Sequence, residues 1–472
     1  MIRKDKPEEA CGVFGVYAPR EDVARLTYFG LHALQHRGQE SAGIAVGDGK
    51  SIFVVKDMGL VPQVFDERSL AGLKGRVALG HVRYSTTGST RWENAQPVHK
   101  TFGSGTLALA HNGNLINSKY LKEMLQRNGS HFNSTSDTEV IADLIASFVG
   151  DGSIEKAIVQ TMSLLEGAYS VALITEKELF AFRDPRGIRP LCIGKLKNNY
   201  VVSSETCGLD IVGAQFVEEV GPGELVIING KGMKKRQILE PKPALCIFEF
   251  IYFARPDSQL LEQNLYACRK KMGNYLAEEA PVKADLVIGV PDSGVPAAIG
   301  FAEKSGIPYG EGLIKNRYVG RTFIQPSQTI REVGIRMKLN PLASAIKGKK
   351  IIVVDDSIVR GNTTKKIIGL LREAGAKEVH VRVSSPPYKY PCFYGIDTAT
   401  VSDLIAGKNS IEKIRKKIKA DSIHYLSLES LVKSTGCAES KFCHACLSGK
   451  YPIKIPEELK VSKLMLEKSA SK

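Results

Sequence analysis

Two segments in the second half of the chain each contain a short apolar strand, a turn with glycine and then a helix. One is ADLVIGVPDSGVPAAIGFAEKSG (284–306) and the other is GKKIIVVDDSIVRGNTTKKIIGLLREAGAKEVHV (348–381). Repeated strand–turn–helix units are typical of a parallel sheet covered by helices, an α/β fold. In such sheets ligands bind outside the carboxyl ends of the strands, so the residues that follow each strand are candidate site residues.

The first half of the chain has a different pattern. From residue 11 to about residue 240, short β-like segments are broken by Gly, Asn and Ser turns, and we expect two helices among them. The clearer helix lies in STSDTEVIADLIASF (134–148), where apolar residues recur at helical spacing. This pattern predicts an α+β fold with helices over sheets. We expect a leader of residues 1–10 and two domains, 11–240 and 241–472, joined by a basic link that contains proline.

The composition limits the possible partners. The sequence has 65 Lys and Arg against 50 Asp and Glu, but this excess is dispersed and has no aromatic residues interleaved with it. The pattern favours a solvated basic surface and a polyanionic small substrate over nucleic acid. No apolar run approaches the ~18 residues of a membrane span, and the leader lacks the apolar core of a signal peptide. We therefore expect a cytoplasmic protein that binds no membrane, and thiols rather than disulfides for its nine cysteines.

The strand IIVV (351–354) is followed by two adjacent acids, Asp355 and Asp356. The next turn opens a helix whose free N–H groups could hold a phosphate, while the two carboxylates could bind sugar hydroxyls or Mg²⁺. An ordinary capped helix would explain Thr363 but gives no reason for the paired acids. Neither GxGxxG nor GxxxxGK[ST] is present, which disfavours a Rossmann or P-loop nucleotide site.

Three segments carry a resemblance to a known family. VVDDSIVRG (353–361) resembles the signature with which type I phosphoribosyltransferases bind phosphoribosyl diphosphate (PRPP), and VIGVPDSGVPAA (287–298) is similar to their diphosphate loop. KNRYVGRTFIQPSQ (315–328) resembles the segment that closes over PRPP. The resemblance implies one Mg²⁺, bound by Ser293, Asp355 and Asp356. It implies as PRPP-binding residues Asp292, Ser293, Gly294, Lys315, Arg317, Arg321, Asp355, Asp356, Ser357, Arg360, Gly361 and Thr363.

Cys11 lies directly after the leader and before the β-like segment GVFGVY (12–17). A thiol is a weak nucleophile until a base removes its proton. An α-amine, with an unperturbed pKa of ~7.7 to 8.0, can be that base, whereas the same nitrogen in a peptide bond cannot. A nucleophile of this kind would become active only when residues 1–10 are removed. Taken alone, a cysteine before a strand is more often a buried apolar residue.

Five segments, the first of which contains Cys11, occur in the order found in N-terminal nucleophile glutaminases of the glutamine amidotransferase class. They are CGVFGVY (11–17), LQHRGQESAGI (34–44), HVRYSTTG (81–88), HNGNL (111–115) and STSDTEV (134–140). The resemblance implies that Cys11 is the nucleophile, and that Asn112 and the N–H of Gly113 donate to the oxyanion. The implied glutamine-binding residues are Arg37 and Gly38 in the pocket wall, Arg83 at the α-carboxylate and Asp137 at the α-ammonium group.

A glutaminase half followed by a phosphoribosyltransferase half resembles the glutamine PRPP amidotransferase family. RDPRGIRPL (183–191), SSET (203–206), GPGE (221–224) and IYFARPDS (251–258) strengthen the resemblance. It implies that ammonia from glutamine attacks C1 of PRPP and gives 5-phosphoribosylamine, the first committed step of purine synthesis. It also implies inhibition by purine nucleotides and a homotetramer. The alternatives are another glutamine amidotransferase, such as one with a sugar-isomerase half, and a catalytically silent PRPP- or nucleotide-sensing protein.

The late CxxC motif of Cys443 and Cys446 encloses His444, so a zinc site is arguable from the residues alone. In the cluster-bearing branch of the family, which also carries a leader, cysteines placed like Cys246 and Cys392 join such a motif. The resemblance therefore implies a [4Fe–4S] cluster bound by Cys246, Cys392, Cys443 and Cys446. Of the other cysteines, Cys437 is a possible competing ligand, and core positions are expected for Cys192, Cys207 and Cys268.

Overall fold

The structure, a computed structural model, describes residues 11–84, 91–103, 105–149, 152–316, 338–396 and 401–457. The strands of the first half are β1 (Gly12–Tyr17), β2 (Ser41–Gly47), β3 (Ile52–Met58), β4 (Val77–Arg83), β5 (Val98–Phe102), β6 (Gly105–Leu115), β7 (Gly167–Ile174), β8 (Leu179–Arg183), β9 (Cys192–Leu196), β10 (Asn199–Ser203), β11 (Gln215–Glu219), β12 (Glu224–Asn229) and β13 (Gly232–Gln237). Its helices are α1 (Val23–Ala33), α2 (Val61–Val64), α3 (Glu67–Gly72), α4 (Ser118–Arg127), α5 (Asp137–Val149), α6 (Ile154–Leu164) and α7 (Thr206–Asp210), with a 3-10 turn at Trp92–Asn94.

Two antiparallel sheets stack face to face in this half. The first has seven strands in the order β11-β9-β10-β1-β4-β2-β3, and the second has six in the order β13-β12-β8-β7-β6-β5. A buried apolar layer that includes Val13, Leu79 and Ala110 fills the space between them. Helix α1 packs on the outer face of the first sheet, and α5 and α6 cover that of the second. This sandwich of two sheets between helices confirms the predicted α+β fold.

The expectation of two helices in the first half was wrong, because the described part of that half contains seven. The helix predicted in residues 134–148 is α5. Helices α2, α3 and α7 span only four to six residues, too short to show a helical repeat. Helix α1 contains Thr27 and Gly30, which are weak helix formers. Gly30 is needed there, since a Cβ atom would lie 2.3 Å from the ring of Phe14.

The second half begins with β14 (Leu245–Cys246). Its other strands are β15 (Gln259–Leu260), β16 (Gln263–Asn264), β17 (Leu286–Gly289), β18 (Leu313–Lys315), β19 (Leu339–Pro341), β20 (Lys350–Asp355), β21 (Glu378–Val383), β22 (Ser422–Tyr425) and β23 (Phe442–Cys443). Its helices are α8 (Leu265–Glu279), α9 (Val295–Ser305), α10 (Ala343–Ile346), α11 (Asn362–Glu373), α12 (Ile405–Lys408), α13 (Ile411–Ile418), α14 (Leu428–Thr435) and α15 (Ala445–Ser448), with a π-helical turn at Glu249–Phe253 and 3-10 turns at Val401–Asp403 and Glu439–Lys441.

A four-stranded parallel sheet in the order β17-β20-β21-β22 forms the centre of this half. Helices α8 and α9 cover one face and helices α11 and α13 the other, which confirms the predicted α/β fold. Helices α8 and α9 touch backbone to backbone, because a Cβ atom on Gly273 would lie 1.9 Å from the carbonyl oxygen of Ala297. Strands β17 and β20 are neighbours, so the loops after them meet at one edge of the sheet.

The C-terminal part of the described chain returns to the start of this half. Strand β14 pairs in parallel with β23, in a register that places Cys246 opposite Cys443. Strand β13 ends at Gln237, just before the predicted boundary at residue 240, and that boundary stays a prediction. Among the described residues, none of the helices combines the length and the hydropathy required to cross a bilayer. The structure places Cys192, Cys207 and Cys268 in the buried cores.

Candidate active sites

Cys11 lies at the amino end of β1, next to the last residues of β4. Its side chain is buried, and Sγ lies 3.5 Å from the carbonyl oxygen of Tyr84. Burial raises the pKa of the Cys11 thiol, and the nearby Arg83 guanidinium offsets only part of that rise. A thiol in this state needs a base to become a nucleophile.

The predicted oxyanion donors lie on β6, in the facing sheet. Asn112 is 2% exposed, and its Nδ2 has no hydrogen-bond acceptor among the described residues. Gly113 has φ +151°, and a Cβ atom there would lie 2.0 Å from the carbonyl oxygen of Ala168, so no other residue fits. Buried polar groups normally have partners in the folded protein. An amide N–H without a partner in the protein is suited to donate a hydrogen bond to an oxygen of the substrate.

Arg83 and Asp137 are buried charged groups in the same half. Asp137 is the first residue of α5, and its Oδ2 accepts the N–H of Leu115 at 2.9 Å. Its Oδ1 lies 3.6 Å from Nδ1 of His111. Burial acts to raise the pKa of Asp137, but His111, the Leu115 N–H and Arg83 together lower it, so the carboxylate is ionised at neutral pH. Arg83 is close enough to Asp137 to lower the pKa of its carboxyl group. Nη1 of Arg83 also lies 3.7 Å from Oε2 of Glu40.

The structure puts the Arg37 side chain into buried ion pairs. Its Nε lies 2.7 Å from Oε1 of Glu205, and its Nη2 lies 2.5 Å from Oε2 of Glu249 in the second half. Gly38 packs on the backbone of β4, where a Cβ atom would lie 2.6 Å from the Arg83 nitrogen. The expected place of Arg37 and Gly38 in the glutamine pocket stays a prediction, and the ion pairs give Arg37 a second role at the junction of the two halves.

The second site lies where β17 and β20 end. Asp355 and Asp356 are buried, and the Ser293 hydroxyl from the loop after β17 donates to Oδ2 of Asp356. Oδ1 of Asp356 accepts the Ser357 hydroxyl at 2.7 Å. Lys315, at the end of β18, forms an ion pair with Asp292. The structure therefore brings together the two predicted PRPP loops, although they lie far apart in the sequence.

The turn after the acid pair leads into α11. Gly361 is the residue before the helix and has φ +82°, a conformation that favours glycine. The first turn of α11 contains Thr363, and Arg360 precedes Gly361. The first N–H groups of a helix have no partner within the helix, and helix starts that follow such a turn commonly bind phosphate. Two residues predicted to bind PRPP, Arg317 and Arg321, lie outside the described residues.

The acid pair suits Mg²⁺. This ion commonly takes one or two carboxylates and completes its octahedral shell with water and substrate oxygens. Asp355 and Asp356 supply the carboxylates, and the Ser293 hydroxyl lies against Asp356. No three His, Cys, Asp or Glu groups surround one ion position anywhere in the described ranges.

The predicted cluster ligands line one cavity. Its walls are Ile188, Arg189, Cys246, Cys392, Tyr394, Ile396, Cys443, Ala445, Cys446 and Tyr451. Four thiolates on a single tetrahedral zinc ion, with bonds of about 2.3 Å, would lie within about 4 Å of one another. A four-iron cluster also takes four thiolates, one at each iron, with the sulfurs further apart. The number of buried cysteines on this cavity fits such a cluster.

His444, which made zinc arguable, is not part of the cavity wall. Its Nδ1 lies 2.9 Å from the Ser448 hydroxyl and its Nε2 lies 3.2 Å from Oε1 of Glu439. Cys437 is also absent from the wall and is half-buried elsewhere. The structure thus separates the four predicted ligands from both competing candidates, while the cluster itself stays a prediction.

Sequence reasoning did not find the buried ion-pair network between the two halves. Glu249 lies 3.4 Å from Nη1 of Arg189 as well as next to Arg37, and all three side chains are buried. Arg189 also lines the cysteine cavity. The only signal was the presence of charged residues inside otherwise apolar blocks, which does not reveal their partners.

The fold and the two sites define a glutamine amidotransferase domain joined to a phosphoribosyltransferase domain. A family described as "Glutamine amidotransferase domain" matches residues 81–210, and a "Phosphoribosyl transferase domain" family matches residues 258–385. The second match excludes the alternative of a sugar-isomerase half.

Proteins that are similar to this chain over nearly its whole length show which family it belongs to. The amidophosphoribosyltransferase of Synechococcus elongatus is 55% identical over 99% of this chain and 96% of its own length. That of Bacillus subtilis is 50% identical over 95% of each. The structure of the glutamine PRPP amidotransferase from B. subtilis complexed with ADP and GMP superposes with a TM-score of 0.90 and 49% identity, over 96% of this chain and 100% of that chain. The chain belongs to the amidophosphoribosyltransferase family and has its glutamine-dependent activity.

Proposed function

We propose that Cys11, once residues 1–10 have been removed, is the nucleophile with which this amidophosphoribosyltransferase releases ammonia from glutamine. The freed α-amine takes the thiol proton, and the thiolate attacks the side-chain amide carbon. Ammonia leaves, and water then hydrolyses the thioester to glutamate. The raised pKa of the buried thiol supports the need for such a base. The leader lies outside the described residues, so its removal rests on the chemistry of the nucleophile.

The observation that carries this assignment is the buried Nδ2 of Asn112, which has no acceptor among the described residues. We assign it, with the Gly113 N–H, to the oxyanion that forms when the thiolate attacks. Arg83 and Asp137 would bind the α-carboxylate and α-ammonium groups of glutamine. Their buried opposite charges complement the two charges of an amino acid.

In the second domain, the residues at the ends of β17 and β20 would bind PRPP. The N–H groups at the start of α11 would hold the 5-phosphate, and Lys315 would contact the diphosphate. Mg²⁺, when bound by Ser293, Asp355 and Asp356, would offset the negative charge that develops on the pyrophosphate leaving group. Ammonia then forms the bond to C1 as the bond to pyrophosphate breaks, giving 5-phosphoribosylamine.

We place the chain in the cluster-bearing branch of the family, with one [4Fe–4S] cluster on Cys246, Cys392, Cys443 and Cys446. Their shared cavity supports this placement. When bound, the cluster would cross-link the C-terminal segment to the start of the second half. The chain itself already brings these parts together, since β14 and β23 pair and Ile247 N–H donates to the Cys443 carbonyl at 3.1 Å.

We further propose purine nucleotides as feedback inhibitors, a homotetramer and a cytoplasmic location. The nucleotide proposal is supported by the ADP and GMP bound in the B. subtilis structure. The net charge of +15 suits anionic ligands.

The experiment that tests the two-site scheme compares Cys11→Ala with the wild type on glutamine and on ammonia. The variant should lose glutamine-dependent synthesis of phosphoribosylamine and retain synthesis from ammonia, because its PRPP site is intact. Equal loss of both activities would refute the assignment.

A further inference from the structure

Asn112 and Gly113, the proposed oxyanion donors, lie in a part of β6 that does not pair with the neighbouring strand β5. Strand β5 pairs with β6 only as far as Leu109, opposite Val98. Strand β7 continues on the other side, with Asn112 opposite Ser170. The side of β6 that carries residues 110–115 is therefore stabilised by contacts other than a β ladder with β5.

One of these contacts comes from a turn of the second domain, residues 392–395. Nδ2 of Asn114 donates to the carbonyl oxygen of Phe393 at 2.9 Å, across 279 residues of sequence. Gly395 has φ +106°, and a Cβ atom there would lie 3.3 Å from the carbonyl carbon of Gly113. The turn thus touches β6 at the residue that bears the oxyanion N–H and at the residue after it.

The turn is held by contacts with both domains, since Ile453 and Tyr451 belong to the second domain and Arg189 to the first. The Tyr394 hydroxyl donates to the carbonyl of Ile453 at 2.8 Å, and the Tyr394 carbonyl accepts Nε of Arg189 at 3.2 Å. The rings of Phe393 and Tyr451 pack at 5.5 Å. A bond from β6 to this turn therefore ties the oxyanion strand to a rigid support outside its own sheet.

We propose that Asn114 is a positioning residue for glutamine hydrolysis, which fixes Asn112 and Gly113 in donor geometry by docking β6 on the turn 392–395. The proposal rests on the proposed oxyanion role of Asn112 and Gly113. The Asn114 side chain donates to Phe393 of the turn, so Asn114 acts through its neighbours on β6. Loss of the bond should lower kcat for glutamine and leave KM nearly unchanged, because Arg83 and Asp137 still bind the substrate.

The test compares Asn114→Ala with Asn117→Ala in the full-length enzyme. Asn117 is a matched control, since its Nδ2 donates to a backbone carbonyl, that of Leu164, at 2.8 Å. A misplacement near 1 Å costs up to about a hundredfold in rate, so we expect kcat of Asn114→Ala for glutamine to fall between about tenfold and a hundredfold. KM for glutamine and ammonia-dependent kcat should stay within about twofold of wild type, and Asn117→Ala should keep all three values.

A second variant acts from the other side of the contact. An added Cβ in Gly395→Ala would lie 2.9 Å from Nη2 of Arg189 and 3.3 Å from the Gly113 carbonyl carbon, at a φ of +106° that strains alanine. This variant should shift the turn and lower kcat with glutamine, together with a lower midpoint of thermal unfolding. Wild-type glutamine turnover in Asn114→Ala, a parallel loss of both activities, or loss of soluble protein would each overturn the proposal. Asn112→Ala distinguishes failure of the positioning role from failure of the oxyanion assignment. If Asn112→Ala abolishes glutamine turnover while Asn114→Ala does not change it, only the positioning role is refuted. If Asn112→Ala is fully active, the oxyanion assignment fails.

Discussion

Asn112→Ala should lower the glutaminase activity without lowering the stability of the protein. In the protein without substrate, Nδ2 of Asn112 is buried and bonds to no acceptor among the described residues. Folding therefore removes this donor from water without giving it a hydrogen bond. Leaving a buried donor unsatisfied costs roughly 1 to 3 kcal/mol. Removal of the amide should relieve that cost and offset the small loss of packing that truncation brings.

The catalytic effect should be large. Loss of one oxyanion donor typically lowers kcat by about 10² to 10³, or about 2.7 to 4 kcal/mol of transition-state stabilisation. We expect this loss for glutamine hydrolysis and none for synthesis from ammonia. The midpoint of thermal unfolding should not fall.

Asn117→Ala is the control with the opposite expected result, a loss of stability without a loss of activity. Its Nδ2 donates to Leu164 and its Oδ1 accepts the N–H of Glu166 at 3.2 Å, so both groups are used in the folded state. That variant should lose about 1 kcal/mol of stability and no activity. The assays are steady-state kinetics with glutamine and with ammonia, and thermal unfolding under the same buffer conditions. An Asn112→Ala enzyme with more than a tenth of wild-type kcat on glutamine would refute the reasoning.

Three further predictions concern the ion pairs, the pH dependence and the cysteines. Glu249→Ala should destabilise the protein by roughly 3 to 5 kcal/mol, measured in denaturant, because it leaves two buried arginines without their shared carboxylate; a loss below about 1 kcal/mol would contradict this. Burial lowers the pKa of His81 to about 3, whereas an unfolded His has a pKa near ~6.5, so stability from this group is complete above pH ~6.5 and declines as the pH falls toward 3. At pH 5 the expected loss is about 2 kcal/mol, and His81→Gln should show a weaker decline in its unfolding midpoint between pH 7 and 5; an unchanged decline would contradict the assignment. Anaerobically purified protein should contain iron and absorb near ~400 nm, Cys246→Ala should lose both and Cys437→Ala should keep them; zinc in place of iron would exclude the cluster.

The parts of the account that sequence could predict depend on local patterns. The apolar strand before Asp355 and Asp356 places the acids at a strand end whatever the rest of the chain does, because a strand–turn–helix unit is a local structure. The four cysteine positions followed from the family resemblance. The fold brings them to one cavity, where the pairing of β14 with β23 places Cys246 opposite Cys443.

What the sequence could not predict depends on contacts between distant residues. Arg37 and Glu249 are 212 residues apart, and nothing in either segment indicates that one neutralises the other. The sequence assigned Arg37 to a pocket wall, whereas its buried guanidinium needs the two carboxylates that the fold supplies. Asn112 shows the same limit, because the absence of an acceptor for its amide among the described residues is a property of the packed fold and not of the HNGNL segment.

The central claim is that the sulfur and the base of the glutaminase belong to the same residue, with Cys11 as the first residue of the active enzyme. Mass spectrometry of active protein, labelled with an electrophilic glutamine analogue and digested, tests it directly. We expect one adduct, on the thiol of a Cys11 that carries a free α-amine. An adduct on Cys11 with residues 1–10 still attached, or on another cysteine, would contradict the account.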